Sequence, residues 1–151
     1  MAKTLNPSDL AAVVGMIDPD AYAANTYTTG WIDMNAFQSI MAVVMAGTLG
    51  ASATVDAKFE QASDGTGTGA KDVSGSDITQ LTKAGSDDDK QAVIQCNGED
   101  LDLVGGFTHV RLSVTVGTAT SDCGAIVLGV DPRYVPASAS DLASVAEIVT
   151  V

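Results

Sequence analysis

The sequence predicts an all-β domain, an antiparallel β-sandwich or jelly roll of about eight short strands. The first observation behind this prediction is an alternation of apolar and polar residues over Thr54–Glu60 and again over His109–Val116. A period of two places one row of side chains in a core and the other row outside it. The second observation is that segments rich in Gly, Asp and Ser separate the apolar runs, as turns separate strands. Strand and helix patterns do not alternate, so a parallel doubly wound sheet is not expected.

The other strands are predicted from shorter or less regular runs. Ser39–Thr48 and Cys123–Val130 are apolar on both faces, which is typical of central strands or of strands covered on both sides. Weaker strand patterns occupy Gly30–Met34, Lys71–Val73, Ile78–Leu81 and Gln91–Cys96. Loops are predicted between them at residues 63–69, 84–89 and 97–106.

Length and composition indicate one folded domain with an aliphatic core. The chain has 151 residues, of which 46% are hydrophobic but only 5% aromatic, so Ala, Val, Ile and Leu must supply most of the core. Seven basic residues against nineteen acidic ones give a formal net charge of −12. This charge repels phosphates and anionic headgroups, which disfavours a nucleic acid or a membrane surface as partner.

The chain divides into an N-terminal segment (residues 1–29), the β-sandwich domain (residues 30–136) and a C-terminal tail (residues 137–151). In the first segment Asn6 and Pro7 form a helix-start signal. The apolar residues that follow have helical spacing. They are Leu10, Val13, Val14 and Ile17. A short amphipathic helix and an extended arm that orders against a neighbour both fit this pattern.

The C-terminal tail is rich in Ala and Ser and also has two interpretations. Ser138 or Ser140 could cap a last short helix, and an extended tail is equally compatible. No signal-peptide pattern begins the chain, and the apolar run Ile40–Gly50 is too short to span a bilayer. Synthesis in the cytoplasm without an export signal is therefore expected.

Residues for catalysis are scarce in this sequence. The single histidine, His109, lies on the polar face of a predicted strand, where a surface imidazole is the simpler interpretation. Cys96 and Cys123 are too few for a disulfide framework or a four-cysteine zinc site, and we expect them to be buried apolar residues. No nucleophile elbow, P-loop or zinc-protease motif occurs, so no catalytic, cofactor-binding or metal-binding residue is predicted.

Three further features have a structural and a functional interpretation. Acidic clusters at Asp87–Asp89 and at Glu99, Asp100 and Asp102 could bind a hard cation, but they lack EF-hand spacing and favour solvated loops. Glycines at Gly65, Gly67 and Gly69 match a phosphate loop only loosely, because no helix follows them. Three rings could line a sugar-binding face or close the edges of the core. They are Trp31, Phe107 and Tyr134.

Several of these segments resemble small structural proteins of tailed bacteriophages. Ala53–Gly65 resembles a hairpin of that group, and two further matches follow it in order. These are Asp77–Thr82 and Phe107–Gly117. Gly30–Met34 resembles the opening strand of the group and Gly124–Val130 its closing strand, so the resemblance extends from about Gly30 to Pro136.

The resemblance implies a head decoration (cement) protein that binds the outside of an icosahedral capsid and stabilises it. Such proteins commonly bind as homotrimers at three-fold positions, with the major capsid protein as partner. In this interpretation the two terminal segments contact the shell or sister subunits, with no nucleic acid, membrane or cofactor involved. The expected contact residues are Asn6, Leu10, Val13, Val14, Ile17, Leu142, Val145 and Ile148.

Other functions remain open at this point. The domain could be the base of a head spike or fibre, or a neck or tail component that presents a host-binding, carbohydrate-binding module. Copy number per particle distinguishes a cement protein from a spike base. An enzyme would need a catalytic constellation around His109 or the cysteines, which the sequence does not provide.

Overall fold

A computed structural model describes residues 4–151, which form two antiparallel β-sheets packed face to face. The strands are β1 (Ala11–Tyr22), β2 (Asn25–Thr28), β3 (Ile32–Asp33), β4 (Phe37–Ala46), β5 (Thr54–Ala62), β6 (Lys71–Asp72), β7 (Leu81–Thr82), β8 (Gln91–Asn97), β9 (His109–Gly117) and β10 (Ser121–Pro132). The helix α1 (Pro7–Leu10) precedes them, and 3₁₀ turns lie at Gly98–Asp100 and Ala137–Ser140. Within these described residues no helix is long and apolar enough to cross a bilayer.

The strand order is that of a jelly roll. Sheet A has the order β1-β10-β4-β8, and sheet B has the order β2-β9-β5-β6, with β3 also pairing β9 and β7 also pairing β5. If β2 and β3 count as one position and β6 and β7 as another, each sheet has four positions. The chain then crosses between the sheets at every connection except the one from β5 to β6, so two Greek keys interlock. The predicted all-β sandwich of jelly-roll type is confirmed.

The core lies between the two sheets and is mainly aliphatic, as the composition predicts. Strands β5 and β9 pair without interruption from Thr54 opposite Gly117 to Ala62 opposite His109. Their alternation predicts the observed burial, because the inward row is almost wholly inaccessible. That row comprises Val55, Ala57, Phe59, Val110, Leu112, Val114 and Val116. Each of the eight strands predicted from the sequence overlaps with an observed strand.

The N-terminal segment differs from its prediction. The helix is limited to α1, where Asn6 and Asp9 form a capping box, and the chain continues as the long strand β1 against β10. Register shifts between Val13 and Gly15 and between Ile17 and Asp20 break the period of two. Because of these bulges, the apolar residues of β1 recur every three or four positions, a spacing that is typical of a helix. Residues 11–28 therefore belong to the sandwich and form no arm outside it.

The C-terminal tail begins with a 3₁₀ turn and lies along the free edge of β1. The amide of Val13 donates to Asp141 Oδ1 at 2.7 Å, and its carbonyl accepts from the Leu142 amide at 2.8 Å. Ala137 is buried with Ala12 and Phe37 in a small second cluster. The described parts of the two terminal segments thus pack against each other, and the tail covers β1 at Val13 on one edge of sheet A.

Candidate interaction surface

The outer face of sheet A, turned away from the core, is apolar. Strand alternation points Met41, Val43 and Met45 of β4 outward, because the residues between them are buried in the core. On β10 the same alternation points Ile126 and Leu128 outward. The pairing register then aligns one apolar row across all four strands. That row is Met16, Ile126, Val43 and Val93.

This outer face of sheet A is accessible and uncharged at its centre. Val93 is 55% exposed, Met45 42% and Met16 36%, although all three are large apolar side chains. None of the outward positions at 41–45, 91–95 and 124–128 carries a charge, in a chain with a net charge of −12. Contiguous exposed apolar patches on soluble proteins mark interaction sites. The outer face of sheet A is therefore the candidate interaction surface.

A shallow depression of about 510 Å³ adjoins the end of this face. Its lining is mostly apolar and includes Pro19, Ala21, Met45 and Gly124. A Cβ at Gly124 would lie 2.9 Å from the Cα of Pro19, so only glycine allows β1 to approach β10 this closely. Asp20 and Asp122 also line the depression, so it offers an apolar floor bordered by two carboxylates.

The sequence pattern predicts the strands of this surface but not the surface itself. The runs that are apolar on both faces were predicted to be central or doubly covered, and they are the adjacent central strands β4 and β10. Among the described residues, only the inner face of these strands is covered by the other sheet. The surplus apolar residues at Ser39–Thr48 and Cys123–Val130 were the signal for an exposed apolar face.

A second, polar cleft of about 410 Å³ lies at one end of the sandwich. Amide, hydroxyl and charged side chains line much of it, together with several apolar groups. The polar lining includes Asn35, Gln38, Asn97, Glu99 and Arg133. Such a mixture suits hydrogen bonding to a neutral polar ligand. No pattern in the sequence predicts this cleft, because its residues come from five separate loops and strand ends.

The three rings proposed for a sugar-binding face have different surroundings. The guanidinium of Arg111 lies 4.6 Å from the ring centre of Trp31, and the ammonium of Lys71 lies 4.4 Å from that of Phe107. Both rings therefore already have a cation over one face. Only Tyr134 is widely exposed, at 85%.

The Gly-rich loop covers side chains rather than phosphates. A Cβ at Gly65 would lie 3.6 Å from His109, one at Gly67 only 2.8 Å from Trp31, and one at Gly69 3.7 Å from Phe107. Asp64 holds the loop, because its Oδ1 accepts from the amides of Thr66 and Thr68 at 2.9 and 3.1 Å. The hydrogen bonds from Thr68 and Thr66 keep the pKa of Asp64 well below its usual range.

We expect Gly67→Ala to destabilise the protein more than Gly75→Ala. Both glycines have a positive φ, +89° and +77°, so each substitution costs about 1–2 kcal/mol of backbone strain. Only at Gly67 does the new methyl group also meet a ring, whereas Gly75 faces open space. Urea unfolding measures the loss of stability in each variant, and the fluorescence emission of the single tryptophan shows whether the new methyl group disturbs its ring. Equal losses of stability with unchanged emission in both variants would contradict the packing of this loop on Trp31.

The histidine and the cysteines do not form a catalytic group. His109 Nδ1 lies 2.9 Å from Thr108 Oγ1, on sheet B. Cys96 and Cys123 are buried in sheet A, opposite Ile40 and Ala46 of β4 respectively. These two positions are six residues apart along β4, about 20 Å of strand, which is too far for a disulfide. Burial raises the pKa of Cys96 to about 11 and also raises that of Cys123.

Both thiols should therefore be inert in the folded protein. A disulfide-exchange reagent at pH 8 reacts with thiolates. The raised pKa values keep both thiols protonated at this pH, and burial keeps the reagent away from them. We expect two thiols per chain to react in guanidinium and almost none in native buffer over the same time. Rapid labelling of either cysteine in the native protein would contradict their burial between the sheets.

The acidic clusters serve as turn caps. Asp87 accepts from Lys90 Nζ at 2.7 Å and from the Thr82 amide at 2.9 Å, and these two contacts lower its pKa. Asp88 accepts from the Leu49 amide at 2.8 Å and binds Lys83, which lowers its pKa too. Across residues 4–151, His, Cys, Asp and Glu side chains form no group of three that could hold a metal ion.

The predicted contact residues lie in two adjacent segments but differ in accessibility. Ile17 is 6% exposed and packs in the main core, so it is removed from the predicted contact surface. Leu10 and Ile148 are exposed, at 46% and 50%. The others are exposed or half-buried where the two terminal segments meet. They are Asn6, Val13, Val14, Leu142 and Val145.

Several solved structures are similar to this chain. A chain of broad bean stain virus matches with a TM-score of 0.45 and 11% identity, over 89% of this chain and 93% of that one. A chain of empty cowpea mosaic virus-like particles matches with 0.46 and 11%, over 88% and 86%. A xylan-binding module matches with 0.39 and 9%, over 81% and 97%. These TM-scores lie below 0.5, so the fold is defined by the strand order and no function is assigned from these likenesses.

No protein-family model matches the sequence, and no curated protein matches it at the significance required.

Proposed function

We propose that this chain is a virion structural protein, a capsid decoration (cement) protein on the outside of an icosahedral phage head. The observation that carries the proposal is the outer face of sheet A, an uncharged apolar surface on a compact jelly roll. The resemblance of Ala53–Gly65 and Phe107–Gly117 to phage structural proteins supports the same assignment. The partner is the major capsid protein, and a homotrimer at three-fold positions is the form we propose.

The mechanism is mechanical. Docking the outer face of sheet A on the shell removes apolar side chains from water, which contributes about 25 cal/mol for each Å² buried. One such face gives a modest affinity, but several copies held together bind with a much smaller dissociation constant. Bridging neighbouring capsid subunits in this way opposes the outward pressure of packaged DNA.

The charge distribution supports an external position. The net charge of −12 repels packaged DNA, so the chain is best placed on the side of the shell away from it. Acidic residues border the outer face of sheet A at both ends, with Asp18, Asp20 and Asp122 near Met45 and Asp131 beside Ser39. They are placed to remain in water when the apolar centre is covered.

A head-spike base or a host-binding module is the second candidate, favoured by the polar cleft at Asn35, Asn97 and Arg133. Its amides and charges match the hydroxyl groups of a carbohydrate. Calorimetric titration with a panel of neutral glycans tests this candidate. Saturable heat that disappears in Arg133→Ala would favour it over the cement protein, and absence of heat at millimolar glycan would remove it.

Particles that lack this chain should assemble but release their DNA at a lower temperature than complete particles. The loss is expected because each missing copy removes one bridge between capsid subunits. A nuclease-coupled dye assay during heating measures the release temperature, and adding back the purified chain should restore it. If particles without the chain were as heat-resistant as complete ones, the cementing role would be wrong, even if the chain were found on the shell.

A further inference from the structure

The β8 edge of sheet A is long, regular and open. Strand β8 (Gln91–Asn97) ends the sheet, pairing only with β4, and its register runs without a bulge from Asn97 opposite Ser39 to Gln91 opposite Met45. None of its seven residues is charged or proline. Folded proteins normally protect such an edge with charges, proline, bulges or a covering segment, because unpaired backbone groups recruit another strand.

The other sheet edges in the described residues are protected. The opposite edge of sheet A is covered by the tail through Asp141 and Leu142, and β1 also contains Pro19 and two register shifts. In sheet B the outermost strands have two to four residues each. The exception at β8 is therefore specific and needs its own explanation.

The backbone groups that β8 leaves free can be identified from the pairing. The Ala46 amide donates to the Lys90 carbonyl at 2.8 Å, which fixes the phase of the antiparallel ladder. By alternation, the N–H and C=O groups of Gln91, Val93 and Gln95 point away from β4. The corresponding N–H of Asn97 is already taken, since it donates to Asp100 Oδ2 at 2.7 Å.

We infer that β8 of one copy pairs antiparallel with β8 of a second copy, about a two-fold axis at Val93. This register uses only the free backbone groups: Val93 lies opposite Val93 of the second copy, and Gln91 lies opposite its Gln95. The side-chain pairs are then self-complementary, apolar against apolar and amide against amide. Two sheets A become one eight-stranded sheet, which also explains why Val93 is 55% exposed.

Charge favours a second copy as the occupant of this edge. Two chains of net charge −12 repel each other over most of their surfaces, and an uncharged strand is where they can approach without opposing like charges. A basic partner would find no carboxylate in β8 to pair with. The contact is smaller than a standard permanent interface, so we expect a concentration-dependent equilibrium rather than a fixed dimer. This inference concerns the free chain in solution and does not depend on the proposed function, whose homotrimer is placed at the three-fold positions of the shell.

Two double variants test the pairing and its register. Gln91→Lys with Gln95→Lys places lysine opposite lysine twice across the axis, whereas Gln91→Glu with Gln95→Lys places glutamate opposite lysine twice. Both substituted positions are exposed in the single chain, so both variants should fold with the stability of the parent. The two-lysine variant also reduces the net negative charge, so weaker association could not be attributed to general repulsion.

Sedimentation equilibrium of the three full-length proteins at 0.15 M salt gives the result. The parent should approach about 31 kDa with rising concentration, twice the chain mass of 15.3 kDa. The Glu/Lys variant should have a smaller dimer dissociation constant than the parent. The dissociation constant of the Lys/Lys variant should be at least about tenfold larger than that of the parent. Equal masses for all three proteins would overturn the inference. A trimer in all three would overturn the β8 contact and leave the trimeric cement protein standing.

Discussion

Val43→Asp should abolish binding to the phage head while leaving the free chain folded. Val43 lies in the middle of the row formed by Met16, Ile126 and Val93, at the centre of the outer face of sheet A. Val43 is half-buried in the free protein, on the face turned away from the core, so the new carboxylate reaches water and costs the fold less than it costs the bound state. In the bound state it is buried without a partner, a change that typically costs about 3–5 kcal/mol, or at least a hundredfold in affinity.

The matched control is Thr28→Asp, which adds the same charge at an exposed position on β2 of sheet B. Co-sedimentation of each purified variant with particles lacking the chain measures the bound copies. We expect Thr28→Asp to bind as the parent does and Val43→Asp not to bind. Normal binding by Val43→Asp would show that the shell contacts another part of the molecule.

Phe59→Ala should cost about 3–5 kcal/mol of unfolding free energy, the typical cost for a buried aromatic ring. Phe59 is wholly inaccessible, lies between the sheets and is one of few large side chains in an aliphatic core. The backbone amide of Phe59 donates to Ser76 Oγ at 3.0 Å, which holds the backbone in place. The cavity left by the ring therefore cannot readily collapse. Domains of this size are stable by about 5–15 kcal/mol, so the loss is a large fraction of the total.

Val93→Ala is the control for this second prediction, because Val93 is more than half exposed in the free chain. At low protein concentration, where association is negligible, it should change the unfolding free energy by less than about 0.5 kcal/mol. Urea denaturation followed by circular dichroism compares both variants with the parent. A loss below 1 kcal/mol for Phe59→Ala would contradict a core centred between β5 and β9.

The sequence was most informative where one face of a strand is buried. In β5 and β9 the period of two marks the buried row directly, since Val55, Phe59 and Leu112 alternate with polar neighbours. In β1 the same logic fails, because its bulges change the spacing and Pro19 interrupts it. The spacing of Val13, Val14 and Ile17 therefore matches a helix although the residues belong to a strand.

The candidate surface was harder to predict for a physical reason. An apolar run such as Ser39–Thr48 has the same pattern whether its second face is covered by its own chain, by a partner or by nothing. Only the arrangement of β10, β4 and β8 in one sheet shows that the outward residues form a continuous patch. The polar cleft could not be predicted at all, because Asn35, Asn97 and Arg133 become neighbours only through the folding of distant loops.

Oxidation of methionine by peroxide, compared between free chain and particle, tests the docking of the outer face of sheet A most directly. In the free protein Met16 and Met45 are 36% and 42% exposed and should form sulfoxides, whereas Met34 is 4% exposed and should not. On the particle, we expect Met16 and Met45 to be protected as strongly as Met34. If both were oxidised on the particle as fast as in the free chain, the outer face of sheet A would not be the surface that binds the shell.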